Sequence, residues 1–202
     1  MKFKFFIIII LFPFLCQGQV MKGFKQLTDR VNVTLPEGTL SICPLTENAV
    51  RIKCYKEAEV HLPELIFTSK VTTPKFRVSD SPLKLEIKAK NIVVILDKQT
   101  GNLSFANHSG KIFLNEKEGS RKIVPDSVNG VSCYIAEQRF ESPTDEYLYG
   151  LGQFQDGHYN LRNITRRLTQ VNSQISIPFI YSSKSNEEKD FWNYPFIINR
   201  TV

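Results

Sequence analysis

Three acidic residues close together in the sequence, Glu141, Asp145 and Glu146, are the first candidates for chemistry. Two carboxyl groups that face one another can act as general acid and as nucleophile or base in hydrolysis. Adjacent residues of a strand point to opposite faces, so Asp145 and Glu146 cannot both enter one pocket if this segment is extended. Because Pro143 precedes them, we predict a surface turn here and assign no catalytic residue.

Glycines at positions 150, 152 and 157 suggest a second kind of chemistry, the binding of a phosphate group. The dinucleotide motif G-x-G-x-x-G would require its third glycine at Gln155, and no parallel strand and helix surround the segment. We therefore predict no nucleotide and no other cofactor. The structural alternative is a point where the chain leaves a sheet and needs the backbone freedom of glycine.

Metal and nucleic-acid binding have no support in the sequence. The three histidines are far apart and no Cys-x-x-Cys pair occurs, so we assign no metal, and a serine nucleophile motif is also absent. The formal net charge of +6 comes from dispersed charges of both signs. We interpret Arg162, Arg166 and Arg167 as a solvated edge and predict no nucleic-acid partner.

The elements that must position these residues are strands. Runs of β-branched and aromatic residues bounded by turn residues recur along the chain, without sustained helical periodicity, which predicts an all-β protein. The segment 83–89 alternates apolar and charged residues and should have one buried face, whereas 92–96 is apolar throughout and should be covered on both sides. Gly101 can supply the positive φ of a tight turn over 97–102. The strands we predict are Val31–Leu35, 40–43, Val50–Tyr55, 76–78, 83–89, 92–96, 103–106, 111–115, 131–140, 166–171, 175–182 and 196–198. This density of strands predicts an antiparallel β-sandwich of two packed sheets.

The N-terminus has the features of a secretory signal peptide over residues 1–18. Lys2 and Lys4 precede an apolar run over 5–15, and the segment ends at the small residue Gly18. The run is roughly a dozen residues long, short of the ~20 of a membrane-spanning helix, so we expect cleavage, no membrane span afterwards and a secreted or periplasmic location. Lipid attachment at Cys16 is the less favoured alternative, because bulky residues precede it. Residues 19–30 have little apolar pattern and are predicted to be a flexible leader.

The cysteines predict free thiols. A hairpin turning at 46–48 would place Cys43 opposite about Val50 and Cys54 opposite about Thr39. At ~3.3 Å per residue these two cysteines are then roughly 13 Å apart, beyond the ~7 Å limit of a disulfide. With Cys133 the odd residue, we expect three free thiols after signal cleavage.

Three stretches of sequence resemble a known family. They are YLYGLGQFQDG at 147–157 and, after it, RRLTQVN at 166–172 and IPF at 177–179. Together they resemble the N-terminal, galactose-mutarotase-like β-sandwich of glycoside hydrolase family 31, as does the Thr-Gly turn between two strands over 97–116. The resemblance covers residues 31–202. It departs from the family pattern at 185–190, where the family has Gly-Tyr-Gly.

The resemblance implies a role without catalysis for this chain. The family includes α-glucosidases and α-xylosidases, whose catalytic aspartates lie in a (β/α)8 barrel after the sandwich. About 184 residues remain after signal cleavage, too few for a sandwich plus a barrel of ~250 residues. We therefore expect a chain that lacks the barrel, is inactive alone, and supports a family 31 barrel in cis or in trans.

The resemblance also implies a place for sugar contacts, because loops of the family's sandwich reach the rim of the sugar pocket. The residues then expected to bind an α-linked oligosaccharide follow the glycines and carry amide, carboxylate, imidazole or guanidinium groups: Gln153, Gln155, Asp156, His158, Asn160 and Arg162. Two alternatives stay open. The chain is a stand-alone carbohydrate-binding module, or it is a structural or interaction protein that docks a separate barrel.

Overall fold

The chain folds as antiparallel sheets. The computed structural model describes residues 20–59, 71–184 and the backbone of 196–197, and these residues contain no helix. The prediction of an all-β protein is confirmed. The predictions for the signal peptide 1–18, for Cys16 and for the segment 185–190 concern residues outside those that the structure describes.

The first sheet has four strands in sequence order: β1 (Gly23–Gln26), β2 (Val31–Leu35), β3 (Gly38–Pro44) and β4 (Val50–Tyr55). A two-residue turn joins β2 to β3, and Gly38 follows it at a φ of 139°. A Cβ on Gly38 would lie 2.3 Å from the carbonyl oxygen of Tyr55, so only glycine allows β3 and β4 to approach this closely here.

The second sheet has five strands, again in sequence order: β5 (Arg77–Asp80), β6 (Lys84–Lys88), β7 (Ile92–Asp97), β8 (Leu103–Asn107) and β9 (Ile112–Asn115). The turn between β7 and β8 is closed by Asp97, whose Oδ1 accepts hydrogen bonds from the backbone N–H groups of Gln99 and Thr100 at 2.9 Å each. Gly101 then takes a φ of 75°, as predicted.

One apolar core joins these two sheets and is consistent with a β-sandwich. Strand alternation turns one face of each sheet inward, and the inward residues of β2, β3, β6, β7 and β8 form a single buried cluster. Its members include Val31, Val33, Leu35, Leu40, Ile42, Leu85, Ile87, Val94, Leu96, Leu103 and Phe105. The face of β7 that carries Val93 and Ile95 is only half-buried, so the expectation that both sides of 92–96 are covered is met on one side.

The remaining strands form a hairpin and a small sheet. The hairpin consists of β10 (Lys122–Val128) and β11 (Val131–Glu137). The small sheet consists of β12 (Leu148–Gln153), β13 (Ile175–Ser182) and β14 (Phe196–Ile197), in that order. Glu116 ties the hairpin region to the second sheet, because its buried carboxylate accepts hydrogen bonds from Arg121 Nε at 2.8 Å, Gln138 Nε2 at 3.0 Å and the Leu103 N–H at 2.9 Å.

Three sequence predictions need correction. The part of the predicted flexible leader 19–30 that the structure describes, residues 20–30, contains a strand, because Gly23–Gln26 pairs with β2, and Met21 is buried. Strand β10 was not among the predicted strands. The predicted strand 166–171 has no ladder beyond a single bridge at Val171. There the Thr169 carbonyl accepts from side chains, Gln174 Nε2 at 2.8 Å and the Ser176 hydroxyl, so it takes no part in a ladder.

The prediction of three free thiols agrees with the structure, in which Cys43, Cys54 and Cys133 are free. The register differs by one residue from the predicted one, since Cys43 pairs with Arg51 and Cys54 with Leu40. Cys43 and Cys54 stay on separate rungs of the ladder, as expected.

Candidate functional site

The glycine-rich segment lies inside a strand and not at a turn. Gly150 and Gly152 belong to β12, at φ values of 113° and 103°, and the register with β13 shifts between them. A Cβ on Gly150 would lie 2.3 Å from the Phe179 carbonyl oxygen, and one on Gly152 would lie 2.1 Å from that of Ile175. The glycines therefore create an irregular strand that lies too close to β13 for any side chain.

Strand β12 leads into residues 153–162, which we call the polar loop because they contain all six predicted sugar-binding residues. The loop returns to the strand it leaves, since the Leu161 N–H donates to the Leu148 carbonyl at 2.7 Å and Leu161 is buried. Asn160 Oδ1 accepts from the backbone N–H groups of Leu148 and Arg162, at 3.1 Å each. Asn160 therefore closes the loop with its amide oxygen.

Arg162 is also engaged within the protein. Its guanidinium donates to the hydroxyl of Ser142 at 2.7 Å, to the Ser142 carbonyl at 3.3 Å and to the Pro143 carbonyl. These contacts join the end of the polar loop to the segment that precedes β12. The structure thus gives Asn160 and Arg162 anchoring contacts, and the sequence pattern alone did not reveal them.

Asp156 forms a bidentate ion pair with Arg166, in which Nη2 lies 2.8 Å from Oδ1 and Nη1 contacts Oδ2. The hydrogen bonds from Arg166 hold the pKa of the Asp156 carboxyl below its usual range. The Arg166 guanidinium stacks 4.1 Å from the centroid of the Phe154 ring, and its side chain is only 6% exposed. The interpretation of Arg166 as part of a solvated edge is therefore wrong: the arginine fixes the loop through Asp156 and Phe154.

The other predicted contacts face solvent. Gln153, Gln155 and His158 are exposed, and Tyr159 beside them is one of the most exposed aromatic residues of the described chain. Gln153 lies opposite Ile175 on the β12–β13 ladder, so the two side chains share one face of the sheet. The loop therefore offers amide and imidazole groups from a backbone that is held at both ends.

The carboxylates before β12 have different environments. Asp145 is exposed and forms an ion pair with Lys184 at 2.5 Å, and this hydrogen bond lowers the pKa of the aspartate. Glu146 is 6% exposed and accepts hydrogen bonds from the hydroxyls of Ser142 and Ser182. The predicted turn is present at 144–145, but Glu146 is buried, which the sequence did not indicate.

An open cleft of about 560 Å³ lies away from these residues, at the turn between β2 and β3. It is lined by Leu35, Glu37, Lys56 and Ile123 among others, and the six predicted residues do not line it. Within the described residues, no three His, Cys, Asp or Glu side chains are grouped so that they could hold a metal ion. No helix of those same residues is long and apolar enough to cross a membrane.

The fold defines the class of protein: an antiparallel β-sandwich similar to that of glycoside hydrolase family 31. No protein-family model matches the chain. The resemblance to family 31 is nevertheless confirmed by curated relatives and by solved structures, which are family 31 glucosidases and α-xylosidases.

Three relatives illustrate the similarity. An uncharacterized family 31 glucosidase of Pseudescherichia vulneris is 27% identical over 181 residues, which cover 78% of this chain and 33% of the relative. The crystal structure of the family 31 α-xylosidase of Xanthomonas citri matches with a TM-score of 0.72 and 27% identity, over 79% of this chain and 18% of that one. A soil-metagenome family 31 α-xylosidase, crystallised with xylose, matches with a TM-score of 0.69 and 28% identity, over 80% and 27%. The chain thus spans a third or less of the proteins it resembles.

Proposed function

We propose that this chain is the β-sandwich portion of a secreted or periplasmic α-glycosidase of the α-glucosidase or α-xylosidase type. It supports a catalytic barrel, in cis or in trans, and has no hydrolytic turnover of its own. The observation that carries the proposal is the coverage: four fifths of this chain align with 18% to 27% of two solved α-xylosidases. The location rests on the predicted signal peptide at residues 1–18.

Exposed apolar surface supports the barrel contact. One face of the β10–β11 hairpin carries Val124, Val128, Val131 and Ile135, which are 50% to 69% exposed. Large exposed apolar patches mark protein interaction sites, and a longer relative has more chain available to cover them. The small sheet adds Ile177, which is 51% exposed.

The barrel contact is tested by capture of a family 31 catalytic barrel produced as a separate polypeptide. The unmodified chain should retain the barrel on an affinity column, and Ile177→Lys should reduce the retained amount. Leu83→Lys is the matched control, because Leu83 is 55% exposed but precedes β6 in the second sheet. Absence of capture by the unmodified chain, or equal loss in both variants, would contradict the proposal.

The polar loop is the proposed sugar-contacting element. Gln153, Gln155 and His158 supply exposed hydrogen-bonding groups, and Asp156 accepts from Arg166 while keeping a half-exposed carboxylate. Such groups recognise sugar hydroxyls when their backbone is held in place. The relative crystallised with xylose makes an α-xyloside the first ligand to test.

Sugar contact is tested by NMR titration of the chain with methyl α-D-xylopyranoside and methyl α-D-glucopyranoside. Chemical shifts of the polar loop should change with either sugar, and Gln155→Ala should weaken the effect. Gln26→Ala, an exposed glutamine on β1, is the matched control. If the chemical shifts of the polar loop change with neither sugar, the proposal that this loop contacts sugar is contradicted.

Hydrolysis is tested separately with aryl α-glucosides and aryl α-xylosides. We expect no turnover by the purified chain. Turnover that a single carboxylate substitution abolishes would overturn the assignment of a non-catalytic role.

A second candidate function is a stand-alone carbohydrate-binding module. The observation that favours it is the exposure of Tyr159, at 87%, next to the exposed His158. Sugar binding by the isolated chain, together with no capture of a barrel, would favour this candidate.

A further inference from the structure

We propose that Glu146 is the positioning residue that holds the polar loop in its geometry, acting through Ser142 and Arg162. This inference rests on the proposed function in one respect, that the loop contacts sugar. Glu146 itself is buried and faces away from solvent, so its role is to position other residues.

The argument begins with the direction of the hydrogen bonds. The Ser142 hydroxyl accepts from Arg162 Nη1 at 2.7 Å and donates its own hydrogen to Glu146 Oε2. On the other side, the Ser182 hydroxyl accepts from the Lys184 N–H at 3.0 Å and donates to Glu146 Oε1. Both hydroxyls therefore receive a donor from outside and point their single hydrogen at the carboxylate.

Only a group that accepts at both ends completes this arrangement. An ionised carboxylate has two acceptor oxygens and no donor, so both serines can donate to it. Glutamine has nearly the same shape but one end is an NH2 donor. The NH2 group would point its hydrogens at the hydroxyl hydrogen of Ser142 or of Ser182. If that hydroxyl rotated away, its hydrogen would point at the donor that it now accepts from, which is Arg162 for Ser142 and the Lys184 N–H for Ser182.

The network joins three segments that are distant in sequence. Ser142 and Glu146 lie before β12, Arg162 ends the polar loop, and Ser182 ends β13. Leu148, two residues after Glu146, is the ladder partner of Ser182 and also holds the Leu161 N–H at 2.7 Å. The C-terminal end of the polar loop therefore returns to the start of β12, where Glu146 fixes the serines.

The consequence concerns how well the loop is held. Arg162 is fixed by oxygens of Ser142 and Pro143, and the segment containing them is fixed by Glu146. If Glu146 no longer accepts from Ser142, the contact of Arg162 loses its support while the sandwich core stays intact, because that core is built from β2, β3, β6, β7 and β8. The C-terminal end of the polar loop would then sample more conformations, and binding of a ligand to the loop would weaken.

The test is amide hydrogen exchange of the full chain by NMR, comparing the unmodified protein with Glu146→Gln. Exchange of the Leu161 and Arg162 amides should accelerate about tenfold, which corresponds to the loss of one net hydrogen bond. The exchange rate of the Ile42 amide in β3 should stay unchanged. Unchanged exchange at Leu161 and Arg162 overturns the proposal. Acceleration throughout the protein also overturns it, because Glu146 would then act only on global stability.

If Glu146→Gln does not fold, two variants of Ser142 test the positioning role instead. Ser142→Ala removes the hydroxyl between Arg162 and Glu146, whereas Ser142→Thr retains a hydroxyl and should restore slow exchange of the two loop amides. Ser127→Ala, an exposed serine of the β10–β11 hairpin, is the matched control. Equal exchange in the alanine and threonine variants contradicts the role of this hydroxyl and with it the proposal.

A measurement of sugar affinity distinguishes the proposal that the loop binds sugar from the proposal that Glu146 positions the loop. The apparent Kd for methyl α-D-xylopyranoside should rise in Glu146→Gln, by the factor by which the fraction of molecules with the loop in its binding geometry falls. If the unmodified protein binds no sugar, the proposed function of the loop fails, and the exchange data alone decide whether Glu146 positions it. If sugar binds and its Kd is the same in Glu146→Gln despite faster exchange, positioning by Glu146 for binding is refuted.

Discussion

Gly152 provides the sharpest test of how the glycine-rich strand is built. The perturbation is Gly152→Ala, at a φ of 103° where the new Cβ would lie 2.1 Å from the Ile175 carbonyl oxygen and 2.9 Å from its carbon. A side chain in such a backbone conformation costs about 1–3 kcal/mol by itself. Moving β12 away from β13 to relieve the contact would break ladder hydrogen bonds, at ~0.5–1.5 kcal/mol each.

These terms predict a loss of about 3 kcal/mol in the free energy of unfolding of Gly152→Ala. Two further glycines separate the causes. Gly157 has a φ of 75° but no atom within 4 Å of a new Cβ, so Gly157→Ala should lose only about 1 kcal/mol. Gly23 has neither a left-handed φ nor a neighbour within 4 Å, so Gly23→Ala should stay within about 0.5 kcal/mol of the unmodified protein.

Urea unfolding followed by far-UV circular dichroism measures all three variants, with linear extrapolation to water. Amide exchange across β12 and β13 detects local opening if the small sheet unfolds before the sandwich core. A Gly152→Ala variant as stable as Gly157→Ala, with unchanged exchange in β13, would refute the claim that the backbone contact with Ile175 requires glycine.

Three other perturbations test the surrounding structure. Glu116→Ala, which removes a buried carboxylate, should destabilise the protein by about 3 kcal/mol in urea unfolding, because the largely buried charge of Arg121 loses its partner. Glu118 is exposed, so Glu118→Ala should leave the stability nearly unchanged, and an equal loss of stability in the two variants would contradict this account. The Asp156 carboxyl should titrate in NMR below the usual ~3.9, and in Arg166→Ala its pKa should return toward that value; a titration unaffected by Arg166→Ala would exclude the pairing. Because the pKa is lowered in the folded protein, the ion pair contributes its full stability above the unfolded-state pKa, and this stability is lost as pH falls through the folded-state pKa. Burial raises the pKa of the Cys54 thiol, so iodoacetamide at pH 8 should label Cys54 much more slowly in the folded protein than in urea, and equal rates would show that this thiol is not shielded.

The sandwich core was predictable because its signals are local. Leu85 and Ile87 alternate with charged residues, and this alternation alone assigns them to the buried face. Gly101 marks a turn because few other residues adopt its φ of 75°. In both cases the deciding residues are neighbours in sequence.

The missed strands lack such local signals. Strand β1 has little apolar pattern and forms because its backbone pairs with β2. Strand β10 contains Pro125 and Asp126, and it is mostly exposed, so neither propensity nor burial pattern reveals it. Its partner β11 lies directly after a two-residue turn, and pairing with that neighbour sets its register.

The contacts of the polar loop are even harder to predict from local sequence signals than the missed strands. The sequence shows which residues carry hydrogen-bonding groups, but the partners of Arg162 lie 19 and 20 positions away, and Glu146 accepts from Ser182, 36 positions away. No periodicity specifies such pairs. They become visible only when the register of β12 against β13 and the return of the loop to Leu148 are known.

The distribution of apolar residues explains why two parts of this chain behave differently. Strands β2, β3, β6, β7 and β8 bury their apolar faces against one another and supply their own core. The β10–β11 hairpin instead turns four apolar side chains outward. It is held to the rest of the protein by contacts such as the hydrogen bond from Gln138 to Glu116 and the cation–π contact of Lys56 with Tyr134. A region that exposes apolar surface gains little from its own burial, so its stability depends on such ties and on whatever covers it. This asymmetry separates a sandwich that supplies its own core from a hairpin whose apolar side chains remain exposed.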